Sequence, residues 1–130
     1  MLGKLLTSNR FDKVLKDLVV TSINIQEGIV ECELIIHEEI QNTYGTLHGG
    51  AIATIVDVVG TMAILTKDPL RAGVSVDLNV TYISAAKANE KIKIIGKVLK
   101  TGKRIAFSEV SFYRSSDNTL LATGRHTKAL

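Results

Sequence analysis

The stretch Gln41–Thr66, QNTYGTLHGGAIATIVDVVGTMAILT, carries the architecture of the chain. It opens with the turn formers Asn42, Tyr44 and Gly45, passes through His48-Gly49-Gly50, and then becomes almost wholly apolar. Between Ala51 and Leu65, the residues Ile52, Ile55, Val56, Val58, Val59, Met62, Ile64 and Leu65 cover every face of a helical repeat. A helix that is apolar all round is a buried one. It is short for a membrane span, and Asp57 and Gly60 interrupt it, so it reads as a core helix. Asp57 breaks the pattern. Burying a carboxylate there is costly unless it is paired, hydrogen-bonded or neutralised. Asp57 is therefore a candidate base or nucleophile; the plain alternative is a core carboxylate capping a neighbouring backbone group.

Outward from this helix the remaining segments alternate. Residues 1–17 pattern as a short N-terminal helix through Leu5, Leu6, Phe11, Val14 and Leu15. Val19–Ile25 and Ile29–Ile36 read as strands joined by a Glu27-Gly28 turn, with Val30, Cys32, Leu34 and Ile36 on one face. Asp68-Pro69 ends the central helix, because proline cannot continue it. In Gly73–Tyr82, Val74, Val76, Leu78, Val80 and Tyr82 take one face; Ser75, Asp77, Asn79 and Thr81 take the other. Lys91–Leu99 and Ile105–Tyr113 form a hairpin around Lys100–Arg104, and a last strand runs over Leu120–Thr127. The connections are too short for helical crossovers, so the sheet is expected to be mostly antiparallel. One long helix and about six strands give an α+β domain, the helix packed on the sheet in a hotdog arrangement.

Composition narrows the function. The 130 residues suit one domain over 1–130, and 45% apolar with 22% charged residues is a soluble globular balance. A single cysteine, Cys32, excludes an intrachain disulfide and fits a reducing compartment. We expect a cytoplasmic protein, with a mitochondrial address as the second choice because Lys4 and Arg10 precede any acid. No zinc-type spacing occurs, so no metal is expected. A net charge of +3 interleaved with acids, with only 5% aromatics, argues against nucleic acid.

His48-Gly49-Gly50 stands where a helix start leaves backbone N–H groups free and adds partial positive charge, a setting for a carbonyl oxygen gaining negative charge. Alone, it is also an ordinary loop-to-helix junction. Asn42 is a possible orienting group or a turn former, and Ser75 is unremarkable on the non-core face of its strand. His37 reads as a solvated strand end and His126 as a surface residue of the last strand. On one helix, Gly49 and Asp57 are separated by about 12 Å. A shared site must then draw the donor from one helix and the acid from another, as in a homodimer with its two helices side by side and opposed. Lys100, Lys103, Arg104 and Lys87 are solvated turn residues or a basic rim for a ligand with phosphates at one end and an acyl group at the other.

Asn42-x-x-Gly45-x-x-His48-Gly49-Gly50, followed by Asp57 on the apolar helix, resembles the hotdog-fold acyl-CoA thioesterases of the phenylacetate-thioesterase type. The blocks Asn42–Gly50, Gly73–Tyr82 and Gly124–Lys128 narrow the similarity to the animal acyl-CoA thioesterase 13 group, also called thioesterase superfamily member 2. The resemblance implies hydrolysis of medium- to long-chain fatty acyl-CoA to free acid and CoA by a dimer of dimers. It makes Asp57 the base or nucleophile and Gly49 the N–H that polarises the carbonyl; Asn42 and His48 position water and carbonyl, and Ser75 lies near the attacking group. CoA would run along Ser75, along Tyr82, Ile83, Ser84, Ala85, Ala86 and Lys87, and along Lys100, Thr101, Gly102, Lys103, Arg104 and Ile105. CoA is part of the substrate, and no separate cofactor is implied. Two positions depart from the pattern: Ser84-Ala85 replaces a common Ser-Pro, and Ala129 stands where some relatives have histidine. The alternatives are a hotdog acyl-thioester dehydratase or hydratase, and a non-catalytic acyl-CoA sensor.

Overall fold

The computed structural model describes residues 10–130. Six strands form one sheet: β1 Val19–Asn24, β2 Ile29–Ile35, β3 Val74–Tyr82, β4 Lys91–Thr101, β5 Ile105–Arg114 and β6 Leu120–Ala129. Their spatial order is β1-β2-β4-β5-β6-β3, and every neighbouring pair is antiparallel. The central helix, α1, spans Gly49–Lys67 and lies across the concave side. The α+β arrangement expected from the sequence is therefore present. Of the N-terminal helix expected over 1–17, the described part is a 3-10 turn at Phe11–Leu15, and the part before residue 10 lies outside the described residues.

The inward-facing residues explain why the sheet wraps the helix. Val30, Cys32 and Leu34 of β2, Ile92 and Ile94 of β4, and Val110 and Phe112 of β5 are buried in one core with Ile55, Val56, Val59 and Met62 of α1. By length and composition α1 could cross a membrane, but here most of its surface is covered by protein. Burial supplies the driving force. Close approach comes from glycines at the contact. A Cβ on Gly96 would stand 2.7 Å from Val59 Cγ1, and one on Gly60 would stand 2.7 Å from Ser108 Oγ. At Gly124 the new atom would meet Val56 Cγ2 at 2.6 Å and the Asn79 carbonyl at 3.0 Å. Gly124→Val is accordingly expected to cost about 1–3 kcal/mol of overpacking, read as a lowered urea midpoint with an unchanged slope.

Two features of β3 differ from the sequence reading. Its residues are nearly all exposed, because it is the edge beyond β6 and no further strand pairs with it among the described residues. Its register also shifts between Ser75 and Asp77, where Val76 is the extra residue of a bulge. A bulge changes which face the flanking side chains meet. Ser75 thus turns to the helix side, contrary to its assignment to the non-core face. The perfect alternation of Gly73–Tyr82 gave no sign of this.

Candidate functional site

The residues singled out in the sequence fall into two groups within one chain. The first surrounds the start of α1. His48 is the N-cap residue, and its Nδ1 accepts the Gly50 N–H at 2.8 Å. Its backbone carbonyl takes the Ala51 N–H at 2.9 Å, while the His48 N–H is used by Ile40 O at 2.8 Å. Gly49 is left as the donor without an acceptor among the described residues. That N–H carries the partial positive charge of a helix start. The Gly49 carbonyl is fixed by the Tyr82 hydroxyl, which donates to it at 2.9 Å. His48 thus caps the helix start through Nδ1, leaving its Nε2 edge exposed.

Asn42 lines a cavity of about 340 Å³ with Gly49, Tyr82, Ile83, Ser84, Ala85 and Ala86. Its Oδ1 accepts from the Tyr44 and Thr46 N–H groups, and its Nδ2 donates to Thr46 Oγ1 at 2.8 Å. This makes Asn42 a turn former, with a second Nδ2 hydrogen still to offer. Lys87 lies just beyond the cavity, its backbone N–H held by Glu90 at 2.9 Å.

The second group centres on Asp57. Inward residues of β6 run Ala122, Gly124, His126, Lys128, so the strand's core face changes from small and apolar to cationic under the helix. His126 is fully buried, which corrects its assignment to the surface. Its Nε2 lies 2.6 Å from Ser75 Oγ, and its Nδ1 faces Asp57 Oδ1 at 3.7 Å without any hydrogen-bond partner. Hydrogen on Nδ1 with Nε2 accepting the Ser75 hydroxyl is the tautomer that suits both neighbours. The order serine, histidine, acid has the connectivity of a hydrolase triad. The final link, however, is too long for a hydrogen bond. Lys128 is also buried; its Nζ donates to Thr61 Oγ1 at 2.9 Å, and that hydroxyl donates to the Asp57 carbonyl at 2.8 Å.

Asp57 itself is not buried in the chain. Its side chain is 50% exposed, on the helix flank that also carries Gly50 and Thr54. The expectation of a desolvated carboxylate fails within the chain, because no element among the described residues covers that flank. His126 and Lys128 are the buried titratable groups instead. Burial pulls the His126 pKa below its ordinary value, opposed by Asp57 and Asp77 and reinforced by Lys128. Burial also lowers Lys128, again opposed by Asp57. His126 is therefore neutral in the fold at pH values where the unfolded chain binds a proton. Below about pH 6.5 the unfolded state takes up more protons, so folding stability falls as pH drops. His126→Asn is expected to flatten the pH dependence of the urea midpoint between about pH 5 and pH 7.

The two groups do not meet within one chain. Tyr82 pairs with Ala122, whereas Ser75 pairs with Lys128, so they stand at opposite ends of β3, about 20 Å apart. The segment Lys100–Ile105 lies at the Ser75 end, since Ile105 pairs with Ala129 and Ala106 with Lys128. The residues expected along CoA are thus divided: Tyr82, Ile83, Ser84, Ala85 and Ala86 beside Gly49, and Ser75 with the basic hairpin beside Asp57. His126, Lys128 and Thr61 were missed. Parity with Ala122 and Gly124 along β6 is the signal that points His126 and Lys128 inward.

Comparison with known proteins follows this geometry. A family model described as the thioesterase superfamily matches residues 44–121. Human acyl-coenzyme A thioesterase 13 is 45% identical over 123 residues, covering 95% of this chain and 86% of the relative. The crystal structure of zebrafish thioesterase superfamily member 2 superposes with a TM-score of 0.93 at 43% identity, covering 99% of this chain and 92% of the other. Thioesterase superfamily member 2 from Mus musculus gives 0.90 at 41% identity, covering 98% and 92%. The three motif blocks, the helix wrapped by an antiparallel sheet and these similarities agree: the chain belongs to the thioesterase superfamily, with the hotdog fold.

Proposed function

We propose that this protein hydrolyses fatty acyl-CoA thioesters of medium to long chain, using sites formed between two subunits. The observation that carries the reading is the separation of a free N–H at Gly49 from a half-exposed carboxylate at Asp57, each incomplete alone. A homodimer completes both. The unpaired edge β3 exposes Val74 at 69% and Val76 at 62%, and a free apolar edge invites a further strand. Pairing of β3 with its symmetry mate extends the sheet and sets the two helices side by side in opposite senses. Each Gly49 then faces the partner's acid. A dimer of dimers is the expected assembly.

In this arrangement the thioester carbonyl accepts the Gly49 N–H, which stabilises the oxyanion as it forms. Asn42 orients the carbonyl through its remaining amide hydrogen, and His48 holds the helix start open. Asp57 acts as the base that takes a proton from water, or as the nucleophile itself; Ser75, held by His126, orients the attacking group. With Asp57 as base, water's oxygen bonds to the acyl carbon, the C–S bond breaks, and the departing CoA thiolate takes the proton that Asp57 received. With Asp57 as nucleophile, its carboxylate oxygen bonds to the acyl carbon as the C–S bond breaks. Water then cleaves the mixed anhydride to the free acid and the carboxylate, its proton going to the thiolate. Ser75, Tyr82–Lys87 and Lys100–Ile105 receive CoA from the two subunits, with basic side chains meeting phosphates. The reaction calls for no cofactor. The protein is assigned to the cytoplasm or mitochondrion as a single domain over 1–130.

A thiol-release assay on palmitoyl-CoA, shorter acyl-CoAs and phenylacetyl-CoA tests this. Release greatest on the fatty acyl-CoAs is the expected result. Hydration of an enoyl-CoA without thiol release would make the protein a hydratase, and tight binding without turnover would make it a sensor.

A further inference from the structure

The loop after α1 is tied to the basic hairpin by one side chain, Arg71. Its Nε and Nη2 both reach Asp68 Oδ2, at 2.8 and 2.6 Å, and its Nη1 donates to the Lys103 carbonyl at 2.9 Å. Asp68 is a firm anchor: its backbone N–H closes the last helical turn on Ile64 O at 3.0 Å, and its side chain is mostly covered. The guanidinium thus connects the end of the central helix to the tip of the β4–β5 hairpin. Two more bonds brace that tip, Gly102 N–H to Ile105 O and Leu130 N–H to Arg104 O, each at 2.8 Å. Lys100, Lys103 and Arg104 point into solvent, and none forms an ion pair among the described residues. The tip is rigid in its backbone and open in its charges.

Arg71 has no charge to spare for a ligand, because Asp68 neutralises it. What it contributes is geometry. A guanidinium meets a carboxylate and a carbonyl through donors fixed in one plane, whereas an ammonium offers three donors from a single atom with no fixed fork. A tip ordered in advance spares a bound anion the entropy of ordering it.

We propose that Arg71 is a positioning residue for the phosphate-bearing end of the substrate, holding the hairpin so that Lys100, Lys103 and Arg104 meet the phosphates of the CoA arm. The proposal rests on the acyl-CoA reading above. It separates from that reading because the acyl group and the reacting carbonyl never touch Arg71.

The test compares decanoyl-CoA with decanoyl-pantetheine, which lacks the nucleotide phosphates, and adds calorimetric binding of CoA itself. Arg71→Ala is expected to raise KM for decanoyl-CoA and Kd for CoA about 3- to 10-fold. Its kcat is expected to stay within about twofold and its KM for the pantetheine thioester to move by less than that. Arg71→Lys is expected to keep most of the defect, since one nitrogen cannot occupy the three positions that Nε, Nη1 and Nη2 fill between Asp68 and the Lys103 carbonyl. An unchanged KM and Kd in Arg71→Ala would overturn the proposal. Full recovery in Arg71→Lys would also overturn it, making Arg71 a direct charge contact. Equal wild-type affinity for phosphate-bearing and phosphate-free forms would remove the hairpin's role and the proposal with it. Absence of thiol release with intact, Arg71-dependent CoA binding would sink the hydrolase reading and leave this one standing.

Discussion

Asp57→Ala is expected to lower acyl-CoA turnover by roughly 10²–10⁴-fold, the range for removing a positioned proton acceptor. The side chain is half exposed, and its nearest side-chain partner is the buried His126 ring, with Nδ1 at 3.7 Å. Truncation therefore deletes no packed volume and no short hydrogen bond. Its backbone carbonyl still accepts from Thr61, so the helix is undisturbed. The urea midpoint should stay close to that of the wild type while kcat collapses. Turnover comparable to the wild type would remove Asp57 from the mechanism, and unfolding would give it a structural role instead.

Gly49→Pro is the second large effect, and the local backbone makes it unusually clean. Proline is well tolerated at the first helical position, where the N–H it removes has no helical acceptor. The preceding residue must be extended, and His48 already is, with φ −61° and ψ 133°. A Cβ at Gly49 would meet Tyr82 at 3.4–3.5 Å, an ordinary contact. The substitution therefore deletes one N–H and little else. Loss of a single oxyanion donor costs roughly 10²–10³-fold in kcat. Gly49→Ala keeps the N–H with the same contact to Tyr82 and is expected to keep most of the activity. Equal activity in the proline and alanine variants would mean that the carbonyl is polarised elsewhere.

The sequence was read best where a period of apolar residues met a breaker. The run from Ala51 to Leu65, closed by Asp68-Pro69, gave α1 almost to the residue, and Glu27-Gly28 gave the first hairpin, whose Gly28 adopts φ +67°. Faces were read less well. At Val76 an extra residue enters β3 without any break in the alternation, so Ser75 was placed outward although it touches buried His126. Polarity likewise assigns His126 to the surface, whereas its strand parity with Ala122 and Gly124, shared by Lys128, points inward. Asp57 shows the opposite error. Its apolar neighbours promised burial, but the flank it occupies is left open by the chain. Periodicity reports which residues avoid water in the assembly a sequence has evolved in, and the proposed dimer would cover the flank that one chain leaves open.

The two half-sites give a direct test of the mechanism. Chains carrying Asp57→Ala and chains carrying Gly49→Pro, each close to inactive alone, are co-expressed with different tags, and the mixed dimers are confirmed by tandem purification. In every mixed dimer one site inherits both substitutions and the other inherits neither. Random pairing is then expected to restore about one quarter of wild-type turnover to the mixture. Turnover that stays at the level of the inactive parents, with mixed dimers demonstrably present, would mean that the donor and the acid act within one subunit.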